Sequence, residues 1–316
     1  FLGIPISFNL PGIVMTVAIM AVLIKGVKES TKVAAFMVAL KLGVIVLFII
    51  AGAFYIKPEN LTPFAPNGFE GIFMGAFMIF FAYIGFDAVA TAAEETKNPQ
   101  KNLPIGIIGS LVVCTIVYAL VALVLTGAIP LSQIDTTAPM AHAMRFIGQD
   151  WIAGLISIGA LTGLSSVLLV LMLAGSRILY AMSRDNFLPK SLQAVHKKHK
   201  TPYVITIMVA LIAIVGSLFL NLNIAAELCI LGTFTSFIIV CIAVLILRKT
   251  DPDRPRPFKV PFSPLFPMLG IITCSALMFY SLKDLTVSRV LFPLWLVIGI
   301  VFYFSYGYRR HRELEK

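Results

Sequence analysis

The sequence predicts an all-α polytopic membrane protein. Two observations carry that prediction and a third orients it. Of 316 residues, 59% are hydrophobic and 13% charged, with a mean hydropathy of +0.95. Soluble domains carry about 25% charged residues. The apolar residues also gather into nine runs, near 8–24, 32–56, 71–93, 105–129, 152–182, 204–221, 224–247, 264–282 and 291–307. Runs of about 20 residues cross a hydrocarbon core of ~30 Å as helices, and lipid leaves the backbone no partner but itself. The third observation is charge. Twenty lysines and arginines flank one set of run ends: Lys25 to Lys32, Lys97 and Lys101, Arg177 to Lys200, Arg248 to Lys259, and Arg309 to Lys316. Only Lys57, Arg145, Lys283 and Arg289 flank the other. Basic residues mark the cytoplasmic side, so the C-terminus is expected there and Phe1 outside. The net charge of +10 then reports topology and anionic lipid, not nucleic acid.

The chain opens on Phe1-Leu2-Gly3-Ile4-Pro5, which is no signal peptide, and is expected to begin part-way through a longer protein. The second run carries Lys41, nine residues beyond Lys32 and therefore roughly 14 Å into the core at ~1.5 Å per residue. A lysine stem cannot snorkel that far, so Lys41 should face protein. It is either a fixed cation joining two helices or, its pKa lowered by desolvation, a group that exchanges a proton.

The third run holds Phe80-Phe81-Ala82-Tyr83-Ile84-Gly85-Phe86-Asp87. A glycine followed by an acid inside a span predicts a break near Ile84-Gly85, whose freed backbone groups need a cavity, an ion or a substrate. Asp87 reads as the cap of the second half-helix, bonding to amides near Val89 and Ala90, in preference to a proton carrier. Phe81, one turn before the break, is placed to line a cavity. Glu94 and Glu95 close this run and are expected to pair with Lys97 or Lys101. The loop of residues 130–150 is expected to hold a short helix near Met140–Phe146. The fifth run is overlong and should project into the cytoplasm. Its Ser165 and Ser166 either bond backbone carbonyls or line a path. In the seventh, Glu227 reads as a helix-start carboxylate. Cys114, Cys229, Cys241 and Cys274 read as buried small hydrophobes, not as a metal or disulfide set. No cofactor or metal is expected, and no nucleophile motif or P-loop argues for an enzyme.

At these residues the chain resembles amino-acid transporters of the amino acid–polyamine–organocation superfamily, particularly bacterial relatives of the cationic amino acid transporters. Phe80–Asp87 is similar to that family's sixth helix. Glu94–Pro104 is similar to the loop after it, Ser176–Pro189 to the segment after helix eight, and Asp251–Phe258 to the loop after helix ten. The resemblance implies a leucine-transporter-type fold of two inverted five-helix repeats plus two helices. Residues 1–316 would be one transmembrane domain holding family helices four to twelve, with one to three missing. On that reading 1–56 ends the first repeat, 71–247 is the second, and 264–307 holds the two added helices.

The resemblance further implies that carbonyls near Phe81, Ala82 and Ile84, freed at Gly85, hold the substrate ammonium, with Phe81 as aromatic gate. Met172, or Leu171, would touch the substrate side chain. Lys41 matches a lysine whose ammonium, in proton-coupled members, replaces the sodium ion of other relatives, with Ser165 and Ser166 as its nearest polar partners on helix eight. The expected function is secondary active, proton-coupled amino-acid transport by alternating access. A single copy in the plasma membrane would suffice, with amino acid, proton and bilayer as partners. Two alternatives stand beside it. One is a sodium-coupled or facilitative amino-acid or polyamine transporter on the same fold. The other is a non-transporting membrane subunit or sensor.

Overall fold

Apolar side chains fix where helices form, and polar punctuation fixes where they stop. A computed structural model describes residues 10–196, 198–253, 255, 256, 258–282 and 287–308, apart from the side chains of 27–31, 92, 94 and 95. The basic tail from Arg309 and the expected ion pairs of Glu94 and Glu95 lie outside that set. In order come α1 (Leu10–Lys25), α2 (Val27–Ala53), α3 (Gly68–Tyr83), a 3₁₀ helix (Phe86–Glu95) and α4 (Pro99–Ala128). Then follow α5 (Pro139–Phe146), α6 (Asp150–Arg184), α7 (Tyr203–Phe219), α8 (Leu222–Thr250), α9 (Leu265–Ser281) and α10 (Ser288–Phe302). The described residues contain no strand.

All nine apolar runs are helical. Six of the helical stretches are 20 to 35 residues long and apolar enough to cross a membrane. The other three, α1, α7 and α9, have 16, 17 and 17 residues. The chain is an all-α, multi-pass membrane protein. α2 and α4 begin five and six residues earlier than the hydropathy runs, at Val27 and Pro99. Polar residues at the bilayer edge extend a helix into water at little cost, and proline is well placed at a first turn. α8 is capped by Asn221, whose Oδ1 accepts the Ile224 N–H at 2.8 Å. The last run ends in a π turn over Tyr303–Gly307.

The described chain forms two compact units. The first comprises residues 10–66 and 110–218, the second 67–109 and 219–308. In the first unit α6 packs against α1, α2 and α5. Phe48, Ile129, Ala143, Met144 and Ala153 form a buried core there. Gly159 of α6 explains how closely α2 approaches. A Cβ at that position would stand 2.8 Å from Val44 Cγ1, so only glycine admits the β-branched side chain. Small residues at such crossings let membrane helices pack where lipid supplies no hydrophobic drive. In the second unit α9 packs on α8 and α3, and α10 on α8. Phe77, Ile230, Leu231 and Phe234 form its core.

Two readings of loop and run chemistry need correction. Glu227 is not at the start of α8. It lies five residues inside and accepts the Ser288 hydroxyl, joining α8 to α10. The cysteines are not fully buried: Cys229 is exposed and the other three are half-buried. The helix expected near Met140–Phe146 is α5.

Candidate functional site

In the second unit, α3 ends at Tyr83. Ile84 is extended (φ −60°, ψ 131°), and Gly85 turns the chain at φ 114° before the 3₁₀ helix begins. A side chain at Gly85 would be strained, because that φ is left-handed territory. The break therefore falls where a glycine inside a span placed it. The residues after it form not an α half-helix but a ten-residue 3₁₀ helix, an unusually long run of this tighter geometry.

Backbone bonding at the break is specific. The Ile84 N–H donates to the Phe81 carbonyl at 3.3 Å, and the Ala88 N–H to the Gly85 carbonyl at 3.1 Å. The Phe81 carbonyl is thus not bare, though an sp² oxygen has a second lone pair to offer. Ala82 lies in the last turn of α3. The Phe81 side chain is 43% exposed.

Aromatic rings hold the break in place from both sides. The Phe80 ring lies 4.4 Å from Phe234 and 6.1 Å from Phe237, while Phe86, beyond the break, lies 5.4 Å from Phe237. One α8 residue therefore touches the chain before and after Gly85. Neither Phe234 nor Phe237 stands out in the sequence among 24 phenylalanines.

Asp87 is not the cap of the 3₁₀ helix. The capping position falls two residues earlier, on Gly85, which has no side chain, and no side-chain cap bond forms. Asp87 sits in the first turn, where its charge complements the exposed N–H groups. Its exposed side chain lines a cavity of about 690 Å³. Cys229, Thr233 and Ser236 of α8 and Leu291, Trp295 and Ile298 of α10 form the other walls.

In the first unit, Lys41 is half-buried on α2 and its Nζ donates to Ser166 Oγ on α6 at 3.3 Å. The register follows from Gly159. Moving from Val44 to Lys41 along α2 goes with moving from Gly159 through Gly163 to Ser166 along α6. The Lys41 stem lies over Gly163, 3.7 Å from where a Cβ would stand. The Ser166 hydroxyl in turn donates to the Gly163 carbonyl at 2.8 Å. Ser165, equally buried, donates to the Leu161 carbonyl at 2.7 Å, so only one of the two serines partners the lysine.

Met172 does not line an open site. It is 2% exposed, packed with Ile19 and Leu23 of α1, Leu169 of α6 and Ala210 of α7. It lies three residues after Leu169, on the face of α6 that α1 and α7 cover. Leu171, one residue back, is 40% exposed. Among the described residues no group of three or more His, Cys, Asp or Glu could hold a metal ion.

A family profile described as amino acid permease matches residues 4–303. The Bacillus subtilis protein named branched-chain amino acid permease BcaP is 47% identical over 98% of this chain, which covers 66% of that protein. The methylthioribose transporter of the same bacterium is 43% identical, again over 98% of this chain and 66% of its own length. Cationic amino acid transporter 9, chloroplastic, of Arabidopsis thaliana is 41% identical over 79% of this chain and 44% of its own length. The chain spans just under two thirds of the length of the two bacterial relatives.

Proposed function

This chain belongs to the amino acid permease family, and from that premise we propose that it serves secondary active, proton-coupled amino-acid transport by alternating access. The relatives are named permeases and transporters, not enzymes, which supports a carrier with no covalent chemistry. The observation that carries the proposal is the break at Ile84–Gly85. A membrane-spanning helix leaves its α-helical bonding pattern there, and the geometry is fixed by glycine at φ 114° and by rings on either side.

On this reading the substrate ammonium bonds to carbonyls of Phe81, Ala82 and Ile84, and the half-exposed Phe81 ring closes over it. Substrate binding shifts the outward–inward equilibrium by its differential affinity for the two states. Lys41 carries the coupling. Its ammonium makes a charge-assisted bond to Ser166 when protonated, and the contact loses that charge when the amine is neutral, so proton occupancy biases the α2–α6 contact. The fold is two inverted repeats with two added helices. The protein acts as a monomer in the plasma membrane. Its C-terminus lies in the cytoplasm, as the twenty-to-four basic asymmetry supports.

The test is uptake by the full-length protein in liposomes with the outside acidified. Leucine, arginine and methylthioribose are offered separately. Accumulation of an amino acid above its external concentration is expected. It should collapse with a protonophore and persist when choline replaces sodium. No gradient-driven accumulation of either amino acid, or a requirement for sodium, sinks the proposal.

A further inference from the structure

The geometry points to a binding groove for an anionic phospholipid at the start of α4, a site that rests on membrane embedding and not on which solute is carried. A cavity of about 920 Å³ in the second unit is lined by Asn98, Gln100, Lys101, Ile105, Ile108 and Phe258, among others. Its two ends differ in chemistry. Lys101, exposed in the first turn of α4, supplies a cation, and that turn contains no acid. Ile105 and Ile108, 61% and 54% exposed, continue the same wall one and two turns further along the helix. At about 1.5 Å per residue the groove runs some 10 Å from the charge into the apolar zone.

A second feature selects the headgroup. Pro104 has no N–H to give the Gln100 carbonyl one turn back, and Gln100 is one of the residues lining the groove. A headgroup with a phosphate for Lys101 and a hydroxyl donor for Gln100 satisfies both. Phosphatidylglycerol has both. Phosphatidylcholine offers no donor and sets a like charge near Lys101. The opposite wall is prebuilt. The Arg256 guanidinium donates to the carbonyls of Pro252 at 2.8 Å and Leu247 at 3.1 Å, and Arg248 to that of Val260 at 3.2 Å. Phe258 lies between these ties in sequence and lines the groove. Lys101 and this loop both belong to the basic flank, the side facing the anionic leaflet.

Native mass spectrometry of the full-length protein, titrated with dioleoyl-phosphatidylglycerol or dioleoyl-phosphatidylcholine, tests the site. Wild type should retain phosphatidylglycerol preferentially. Lys101→Gln should weaken that retention about fivefold, the factor equal to the ~1 kcal/mol of one lysine near an anionic surface. Phosphatidylcholine retention should not change, and Lys101→Arg should behave as wild type. Phe258→Ala should also lower phosphatidylglycerol retention. Equal retention of the two lipids by wild type overturns the proposal. So does phosphatidylglycerol retention untouched by Lys101→Gln, or a loss of both lipids alike in that variant.

Discussion

Lys41 Nζ stands 3.3 Å from Ser166 Oγ, across a helix pair whose separation is set by a glycine two turns away. The pair joins an ionisable group to a buried hydroxyl 1% exposed. If that contact couples proton to substrate, its two halves fail differently. Lys41→Met should abolish accumulation driven by a pH gradient while leaving exchange of labelled for unlabelled substrate intact. Ser166→Ala keeps the charge but removes its acceptor. It should slow gradient-driven uptake about tenfold, the factor for ~1.4 kcal/mol, at the weak end of a charge-assisted hydrogen bond. Undiminished accumulation in Lys41→Met removes the lysine from coupling.

Gly159 makes that contact possible. A methyl group there meets Val44 Cγ1 at 2.8 Å, and valine has little rotameric freedom in a helix with which to yield. Gly159→Ala should cost ~1–3 kcal/mol, as overpacking does, measured as a lower melting temperature in detergent. Val44→Ala should restore most of the loss when combined with it. Additive losses in the double variant would show that the clash is not the cause.

Helix count, the break and the lysine were legible because each violates a simple rule. Glycine beside an acid inside a span, and a cation roughly 14 Å deep at ~1.5 Å per residue, are costly unless paired. What pairs with them was less legible. Ser165 and Ser166 are adjacent and chemically identical, and only the α2–α6 register separates them. The resemblance implied Met172 as a substrate contact, and a resemblance does not say which face of α6 is covered by α1 and α7 here. The shift of the cap from Asp87 to Gly85 came from a turn that starts with an extended Ile84, two residues earlier than composition suggests. Phe237 carried no signal at all, since its importance lies in touching Phe80 and Phe86 together.

That double contact makes its own prediction. An aromatic pair is worth about 0.5–1.5 kcal/mol beyond burial, so Phe237→Leu loosens both sides of the break by that order. Substrate affinity, read by thermal shift or equilibrium binding, should fall about tenfold with helical content unchanged. Phe81→Ala should weaken affinity while sparing stability, because that ring is 43% exposed. Affinity unaltered in both variants would separate the break from the substrate site.

The loop between α4 and α5 provides a pH-dependent control. Asp135 Oδ1 accepts the Thr137 N–H at 2.8 Å. That backbone bond, aided by the Thr137 side chain and more weakly by His142, holds the carboxyl below its ordinary value of 3.8. Since the folded value is the lower one, the ionised carboxylate favours the turn. The contribution is present above the ordinary value and is lost as pH falls through the folded one. A carboxyl-carbon NMR titration should place the Asp135 midpoint below 3.8. Thr137→Val should raise it only part of the way, because the backbone N–H remains. A midpoint at or above the ordinary value would refute the assigned bonds. Full exposure keeps the effect on overall stability within experimental error. Because this titration lies well on the acid side of neutrality, any pH dependence of uptake near neutral pH belongs to another group.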